Sequence, residues 1–380
     1  MDYLIVDISG KVLNYDIALC EAITRNLSSK EKLLLLAANI DEKKVKCNAQ
    51  KLVSLVPKSF QNSENKVKRS VKALEGIVNY LYLVLYVFIK RPSVVHFQWL
   101  PFLEVSSIER YFLKLLKVVS PKSRFVLTVH NIFPHNSKEK KRDKYRLRFA
   151  EVEKFFDLFI LHLQSSKTEF CVEFGIDESR CKVVPHGVFE QKNLKISSHK
   201  SEEEIRLLMY GNQSFYKGTD ILVDAIGCLP HDVQNKIHTS IIGKFSSGYL
   251  RTIQKKADEL KIEIIPEYVP DEELNKRILE SDLIILPYRE ISQSGVLLLA
   301  IFFEKPIICS NLPSFKETLD GFGDEVFFES GNARSLAHVI MDFSNNRLNW
   351  SFYRNKIISL KKKYSWDSVS EKTLNIYNEG

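Results

Sequence analysis

The chain has 380 residues, of which 44% are hydrophobic and 27% charged. A chain of this length and composition is expected to fold as a soluble protein with two domains, because one compact core rarely grows this large. Its six cysteines include no CxxC pair and no cluster with histidine, which argues against a disulfide scaffold and against a zinc site.

Charge is unevenly distributed between the two halves of the chain. Residues 1–200 contain 34 Lys and Arg against 21 Asp and Glu, a net charge of +13, whereas residues 201–380 contain 21 against 26, a net charge of −5. Halves of opposite sign indicate two domains with different partners.

Alternating strand and helix patterns begin at the first residues. The start, "MDYLIVDISG", has no charged leader before an apolar core, so the expected location is the cytoplasm, with a peripheral position at the inner face of the membrane left open. Short apolar runs predict strands at 3–8, 32–40, 93–99, 124–130, 157–163 and 182–187, and helical periodicity predicts helices near 15–27, 66–90, 106–119, 137–155 and 165–174.

Two of these helices raise the question of a membrane. The apolar stretch 77–89 is 13 residues long, too short to span a bilayer, and is interpreted as a buried helix, with a shallow membrane-lying segment as the alternative. The run from Lys138 to Arg148 is rich in Lys and Arg, which fits a solvated helix face or a face that attracts anionic lipid or a polyanionic substrate. Nucleic acid is disfavoured because no recognition motif accompanies the charge.

A polar stretch separates two series of alternating strands and helices. Residues 191–204 are predicted to be a linker between an N-terminal domain at 1–190 and a C-terminal domain at 205–346, followed by helices at 347–380 that pack back on the first domain. The second half predicts strands at 205–211, 237–243, 262–268, 281–288, 305–310 and 324–328, and helices near 217–228, 248–260, 271–280, 294–304 and 331–344. The predicted fold class is therefore α/β, with two doubly wound, Rossmann-like parallel-sheet domains facing across a cleft.

Ligands of such sheets bind beyond the carboxyl ends of the strands, so the residues there are candidate site residues. After the first strand, Gly10 offers either a plain turn or a place where a phosphate could approach. Trp99 ends the third strand and is expected either to stack on a sugar ring or to pack between domains.

His130 ends the next strand and is followed by Asn131 and His135. It is either a core histidine with a partner or an imidazole that meets a substrate, because a histidine titrates near neutral pH. Asn131 and His135 are candidates for acceptor contacts beside it.

In the second half, "YGNQSFYKGTD" places Gly211, Asn212, Tyr216 and Lys217 between a strand and a helix start. A lysine at a helix start is electrostatically unfavourable unless an anion binds beside it, so Lys217 is a candidate anion-binding residue. The alternative is a solvated lysine without a ligand. Residues Ser294, Gly295 and Val296 open a nearly all-apolar helix, and its free amides predict a second anion site. Together these two sites suit a nucleoside diphosphate.

At this point the sequence resembles the retaining GT-B glycosyltransferases of the large family-four class. The stretches "TVHN", "VVPHG", "YGNQSFYKGTDILVDAI" and "LPYREISQSGVLLLAIFFEKPII" carry the resemblance. It implies that His130 lies beside the reacting sugar, that Lys217 contacts the donor diphosphate, and that Ser294, Gly295 and Val296 supply amides. It also aligns His186 with the family's interdomain segment, as a donor contact.

The sequence departs from the family at three positions. Ser214 stands where many members have an arginine, and the family's paired glutamates fall at Ile291 and Leu299. The resulting prediction is transfer of a sugar from a nucleoside diphosphate sugar to a hydroxyl of a lipid-linked or polysaccharide acceptor, without metal or cofactor, in surface polysaccharide synthesis. The alternatives are a catalytically inactive nucleotide- or glycan-binding protein of this fold and a sugar-nucleotide epimerase.

Overall fold

The computed structural model describes residues 2–54, 66–134, 139–188, 204–291, 293–345 and 350–379. The chain divides into two compact units: unit 1 comprises Met1–Gly187 with Trp366–Gly380, and unit 2 comprises Val188–Ser365. Each unit is a parallel sheet with helices, so the predicted α/β class with two Rossmann-like domains is confirmed. Most of the predicted linker, 191–204, lies outside the described residues.

Unit 1 is built on a seven-stranded parallel sheet with the order β3-β2-β1-β4-β5-β6-β7. Its elements are β1 Asp2–Asp7, α1 Leu13–Asn26, β2 Lys32–Ala37, β3 Ala49–Lys51, α2 Lys66–Lys90, β4 Val94–Trp99, α3 Glu109–Val119, β5 Arg124–Thr128, α4 Glu139–Val152, β6 Leu158–Leu161, α5 Gln164–Phe174 and β7 Cys181–Val183. The strands are apolar on both faces because helices cover both faces, as the two separate core clusters of this unit show.

The strand order of unit 1 reverses between β1 and β4, which is where a doubly wound sheet opens a crevice at its carboxyl edge. A register shift after Val6 brings Asp7 opposite Trp99. The ends of these two central strands therefore lie side by side at that edge.

Unit 2 repeats the architecture with six parallel strands in the order β10-β9-β8-β11-β12-β13. Its elements are β8 Ile205–Tyr210, α6 Thr219–Cys228, α7 His231–Gln234, β9 Ile237–Ile242, α8 Tyr249–Glu259, β10 Glu263–Ile265, α9 Asp271–Glu280, β11 Leu283–Leu286, α10 Gly295–Phe302, β12 Ile307–Ser310, α11 Pro313–Thr318, β13 Phe327–Phe328, α12 Ala333–Asn345 and α13 Trp350–Lys363. The reversal here falls between β8 and β11, which are neighbours in the sheet.

The C-terminal helices divide between the two units. Helix α13 belongs to unit 2 and packs on α10, whereas the last helix, α14 (Trp366–Asn378), belongs to unit 1 and packs on α1. Trp366 and Tyr377 are buried in the core beside Tyr15 and His96. Only glycine fits at position 187, because a Cβ there would lie 2.4 Å from the Trp366 ring.

Every strand predicted from the sequence is present, with ends that differ by a few residues. The strand β3 and the short helices α7 and α11 were not predicted. They contain three to six residues, too few for a periodic pattern to show.

Candidate functional site

Four histidines cluster at the carboxyl edge of the unit 1 sheet. His96 lies in β4, while His130, His162 and His186 follow the ends of β5, β6 and β7. The rings of His130 and His162 have centroids 5.1 Å apart, and those of His162 and His186 are 5.4 Å apart. Parallel strands end at one edge of a sheet, so this topology brings together side chains about 30 residues apart in sequence.

A fixed carbonyl group determines the tautomers of two of these rings. His162 Nδ1 lies 3.0 Å from the carbonyl oxygen of Val184, which only accepts, so Nδ1 must carry the proton. His162 Nε2 is then an acceptor in the neutral ring, and it lies 3.2 Å from Nδ1 of His130. His130 Nδ1 must therefore donate, which leaves His130 Nε2 without a proton.

The unprotonated Nε2 of His130 lies 3.2 Å from Oε1 of Gln98. Two acceptors cannot form a hydrogen bond, so the tautomers of His162 and His130 require the Gln98 amide to be turned by 180°, with its NH₂ group towards His130. His96, on the other side of Gln98, has hydroxyl partners at both ring nitrogens, Tyr377 at 2.5 Å and Thr128 at 2.7 Å. The network therefore holds the His130 ring from both sides.

Burial keeps these rings neutral. It lowers the pKa of His96 and of His162 to about 3 and that of His186 to about 4. It also lowers the pKa of His130 well below its ordinary value, with a further contribution from the neighbouring histidines. Near neutral pH, His130 is therefore a neutral ring that accepts a hydrogen bond at Nε2, not a cation.

The histidine predicted from the sequence lines an open recess of unit 1. Trp99, Asn131 and Glu104 also line it, together with Gln98, so the structure brings together three of the predicted residues: His130, Trp99 and Asn131. The ammonium group of Lys11 lies 5.6 Å from the centre of the Trp99 ring. His135 lies outside the described residues.

The turn at Gly10 has a structural explanation. Gly10 has φ +64°, and a Cβ there would lie 2.3 Å from the carbonyl oxygen of Ala38. Its amide donates to the Asp7 carbonyl, and the Asp7 carboxylate accepts from the amides of Ser9 and Val12. These N–H groups already have partners, so the plain-turn alternative explains Gly10 better than phosphate binding does.

In unit 2, Lys217 is buried, with 8% of its surface exposed. Its ammonium group donates to the Tyr288 hydroxyl at 2.7 Å and lies 3.9 Å from the centre of the same ring. No carboxylate pairs with it among the described residues. Burial accordingly lowers the pKa of Lys217 to about 8, the sign of a cation that lacks a counter-charge.

The start of helix α10 adjoins the same tyrosine. The Ser294 hydroxyl hydrogen-bonds to Tyr288 and also accepts from the Leu297 amide, so this helix start is capped and the prediction of uncapped amides was wrong in part. The cap satisfies one amide only. Within the described residues the N–H groups of Gly295 and Val296 have no hydrogen-bond partner, and Gly295 is exposed.

The loop after β8 lies against this helix start. Gly211 has φ +101°, and a Cβ there would lie 3.2 Å from a methyl group of Val296. The Tyr210 hydroxyl donates to the Val296 carbonyl at 2.9 Å. The two anion sites predicted separately from the sequence are therefore adjacent, with exposed Asn212 and half-buried Tyr216 in the same loop.

Arg289 also reaches this region, but its charge is already neutralised. It forms a two-point ion pair with Asp220 at 2.8 and 2.6 Å and donates to the Phe215 carbonyl at 2.8 Å. It thereby ties the loop after β11 to the start of α6 and does not replace the family arginine missing at Ser214. Among the described side chains around this loop, Lys217 is a buried cation without an acidic partner.

No three His, Cys, Asp or Glu side chains converge on a metal-binding geometry in the described ranges. Metal-independent chemistry remains a prediction.

Comparison with known proteins agrees with this geometry. Residues 190–363, most of unit 2, match the family model described as glycosyl transferases group 1. Unit 2 is therefore similar to the group 1 glycosyltransferases. Over 124 residues, 32% of this chain, the sequence is 30% identical to a GDP-mannose:glycolipid 4-beta-D-mannosyltransferase of Xanthomonas campestris pv. campestris. That match spans 33% of the relative's length.

Solved structures extend the likeness to the whole fold. The Anabaena protein Alr3699/HepE in complex with UDP has a TM-score of 0.67 and 14% identity, over 99% of both chains. A glycosyltransferase from Rickettsia africae ESF-5 has the same TM-score and 16% identity, over 99% of this chain and 97% of its own. The fold is therefore GT-B.

Within the matched region, the two positions aligned with the paired glutamates of the family-four class are apolar residues that pack on the core. Ile291 and Leu299 both pack against the hydrophobic core of unit 2. The nearby acid Glu290 is exposed. His186, aligned with the interdomain segment, lies in unit 1, where its Nδ1 donates to the Gly187 carbonyl at 2.7 Å.

Sequence reasoning missed His162 as a site residue and did not assign roles to Gln98 or Tyr288. The signal for His162 was present, because it lies near the end of the predicted strand 157–163, which follows the predicted strand that ends at His130. The partners of Tyr288 gave no such signal, since Lys217 is 71 residues away in the chain.

Proposed function

We propose that this protein is a glycosyltransferase that moves a sugar from a nucleoside diphosphate sugar to a hydroxyl group of a lipid-linked or polysaccharide acceptor. The observation that carries the proposal is Lys217, a buried ammonium group without an acidic partner, beside the open amides of Gly295 and Val296. A diphosphate supplies the missing negative charge, and it gains charge as the glycosidic bond breaks, so these donors stabilise the transition state more than the ground state.

Unit 1 supplies the second part of the chemistry. His130 has an unprotonated Nε2 held by its neighbours and lines a recess that also contains an indole and an amide. A sugar hydroxyl can donate to that nitrogen in place of the Gln98 amide, and Trp99 offers an apolar face for a sugar ring. We assign nucleotide binding to unit 2 and sugar and acceptor contacts to unit 1.

The names of similar proteins support this assignment and suggest which ligands to test first. The Xanthomonas relative is named for GDP-mannose and a glycolipid, and the Anabaena structure contains UDP. Retention of configuration, which the family resemblance implies, a role in surface polysaccharide synthesis and a cytoplasmic location, peripheral at the membrane, form part of the proposal.

The first experiment is a thermal-shift screen of the full chain with UDP, GDP, CDP and ADP. A nucleotide that binds only the folded state raises its apparent stability. Lys217→Met should abolish the shift, whereas Lys305→Met, which removes a half-buried lysine of the same unit, should preserve it. No shift with any nucleotide, or an equal shift in the Lys217 variant, would remove the donor site from unit 2.

The second experiment separates catalysis from binding, because the apolar residues Ile291 and Leu299 favour an inactive binding protein as the alternative. Incubation with nucleotide sugars and lipid-linked acceptors should release the nucleoside diphosphate and form a glycoside, whose anomeric configuration is read by NMR. Binding without turnover of any donor would assign the binding function instead. An altered nucleotide sugar without glycoside would assign an epimerase.

A further inference from the structure

Helix α2 carries an exposed apolar stripe along its whole described length. Leu74, Val78, Leu81, Leu85 and Phe88 recur at spacings of four, three, four and three residues and are 40–58% exposed, and Ile89 beside them is 62% exposed. This spacing places them on one side of the helix. Helix α3, which packs against α2, adds Tyr111, Leu115 and Val118 at the same spacing, 41–68% exposed. We call these nine residues the α2–α3 face.

The stripe is a surface feature and not a membrane span. The segment Ser70–Lys90 is long and apolar enough to cross a membrane by length and composition alone. However, its opposite side carries Tyr80, Leu83 and Val87, which are fully buried in the core of unit 1. A helix attached to a sheet along one side can touch a bilayer only with its other side.

The acidic residues of both helices are turned away from this face. Glu75 is the only acid of α2 and is 2% exposed, and Glu109 is the only acid of α3 and is fully buried. Glu109 accepts from the Tyr80 hydroxyl at 2.8 Å, and burial raises its pKa to about 8. The carboxyl groups of α2 and α3 therefore contribute little negative charge to the surface.

Most exposed charges in and beside the two helices are basic; the acids there include Asp2, near Tyr86 of α2, and Asp157, which pairs with Lys117 of α3. Lys90, Arg91, Lys114 and Lys122 are exposed, and none of them forms an ion pair within the described part of the chain. Lys114 lies on the exposed side of α3 between Tyr111 and Val118, and Lys90 follows Ile89 at the end of α2. The surface thus combines apolar side chains with free positive charge.

This combination selects one kind of partner. We propose that the α2–α3 face docks unit 1 on an anionic lipid bilayer, with apolar side chains among the acyl chains and lysines at the headgroups. Two copies of the chain meeting through this face would bring like charges together, whereas anionic lipid neutralises them. The inference rests on the proposed function only in that a lipid-linked acceptor would lie in such a membrane.

The basic run 138–148, the other membrane candidate from the sequence, is engaged only in part inside unit 1, since Lys140, Lys141 and Lys144 are exposed and form no ion pair within the described residues. Arg146 pairs with Glu139, Asp143 and Glu173, and Arg148 donates to the carbonyl oxygen of Glu104. Among the described side chains of α4, Leu147 is the one large apolar residue that is exposed, so α4 lacks an apolar stripe, and we assign insertion into lipid to α2 and α3.

The test is flotation of the full chain with phosphatidylcholine vesicles, with and without phosphatidylglycerol, in the absence of nucleotide and acceptor. Binding should require phosphatidylglycerol and weaken as salt rises. Leu81→Asp/Leu85→Asp should weaken it by about tenfold or more, because charged groups resist transfer to the acyl region. The matched control is Leu147→Asp/Val172→Asp, which changes two exposed apolar residues of α4 and α5 and should bind like the parent.

Three results would overturn the proposal: no binding to either vesicle, equal binding of the two double variants, or a parent dimer in light scattering that Leu81→Asp/Leu85→Asp dissociates. The last result would assign the face to a second copy of the chain. Because vesicle binding needs no donor and the thermal-shift screen needs no vesicle, failure of one proposal is distinguishable from failure of the other.

Discussion

His162 Nε2 lies 3.2 Å from His130 Nδ1, and the opposite nitrogen of His162 lies 3.0 Å from the Val184 carbonyl oxygen. A backbone carbonyl cannot change its hydrogen-bonding role, so it sets the tautomer of one ring, and that ring sets the tautomer of the next. His162 is therefore a positioning residue for His130.

The first prediction concerns these tautomers and their effect on turnover. In ¹⁵N NMR spectra near neutral pH, His162 and His130 should both carry the proton on Nδ1. His162→Phe removes the acceptor and should free the His130 ring, lowering kcat about 10- to 100-fold with little change in donor KM, because outer-shell partners of active histidines have effects of this size.

His162→Gln is the conservative control, since an amide oxygen can still accept from His130. It should restore much of kcat and the Nδ1–H signal of His130. If His130 is protonated on Nε2 in the parent, or if the Phe and Gln variants have equal kcat, His162 has only a packing role.

The second prediction concerns the pH dependence of stability. Burial lowers the pKa of His96 to about 3, below the value of about 6.5 in an unfolded chain. As pH falls, the unfolded state therefore binds a proton before the folded state does. The contribution of His96 to the free energy of unfolding is complete above pH 6.5 and falls by about 1.4 kcal/mol per pH unit towards pH 3.

His96→Gln should remove this component, and urea unfolding of parent and variant between pH 7 and pH 5 measures the difference. The parent and His96→Gln must be compared with each other, because Glu109 affects both proteins equally. Burial raises the pKa of Glu109 to about 8, which makes the free energy of unfolding change with pH in the opposite direction. His231→Gln, at an exposed position of α7, is the matched control. Equal slopes for parent and His96→Gln would contradict a buried neutral imidazole.

The third prediction separates stability from donor binding at Lys217. Burial without a counter-charge lowers its pKa from 10.5 to about 8, so the charged lysine destabilises the fold below pH 8 and less so as pH rises towards 10.5. Lys217→Met should raise the free energy of unfolding by about 1–3 kcal/mol at pH 7 while abolishing donor binding.

Lys305→Met is the informative comparison. Burial also lowers the pKa of Lys305 to about 8, but its ammonium group donates to the carbonyl oxygens of Leu279 at 2.6 Å and Ser281 at 2.8 Å. Its removal should lower stability and leave donor binding intact. A destabilised Lys217→Met protein that still binds nucleotide would make Lys217 a structural residue.

The fourth prediction concerns Gly218, between Lys217 and α6. Its φ is +70°, and a Cβ there would lie 1.8 Å from the Pro287 carbonyl oxygen. Gly218→Ala should lower the free energy of unfolding by more than about 3 kcal/mol. An alanine there would have a strained φ, and the backbone at Pro287 would also have to move. At Gly321 φ is +85° with open space around the Cβ position, so Gly321→Ala should cost only about 1–2 kcal/mol. Equal losses in chemical denaturation would mean that the close approach to Pro287 has no energetic consequence.

Much of the fold was predictable because local pattern and tertiary structure agree. The helix predicted at 66–90 is observed at Lys66–Lys90, and the parallel strands read as unbroken apolar runs since both faces are covered. The same pattern could not tell which side of that helix faces the core. The apolar positions of α2 surround most of the helix, so only its packing against the sheet and α3 showed that Leu81 and Leu85 are exposed while Leu83 is buried.

The sequence by itself determined the two-domain α/β class and the strand ends where His130 and Lys217 lie, because strand and helix periods and turn residues are local properties of the chain. Only the tertiary structure decided what those side chains contact. The sequence left two alternatives for His130, a partnered core histidine or a substrate-facing imidazole. Each describes part of the structure, because the ring has hydrogen-bond partners and also lines a recess. Hydrogen bonds such as those from Lys217 to Tyr288 and between His162 and His130 join residues far apart in the chain, and their geometry depends on strand order, which no local pattern encodes.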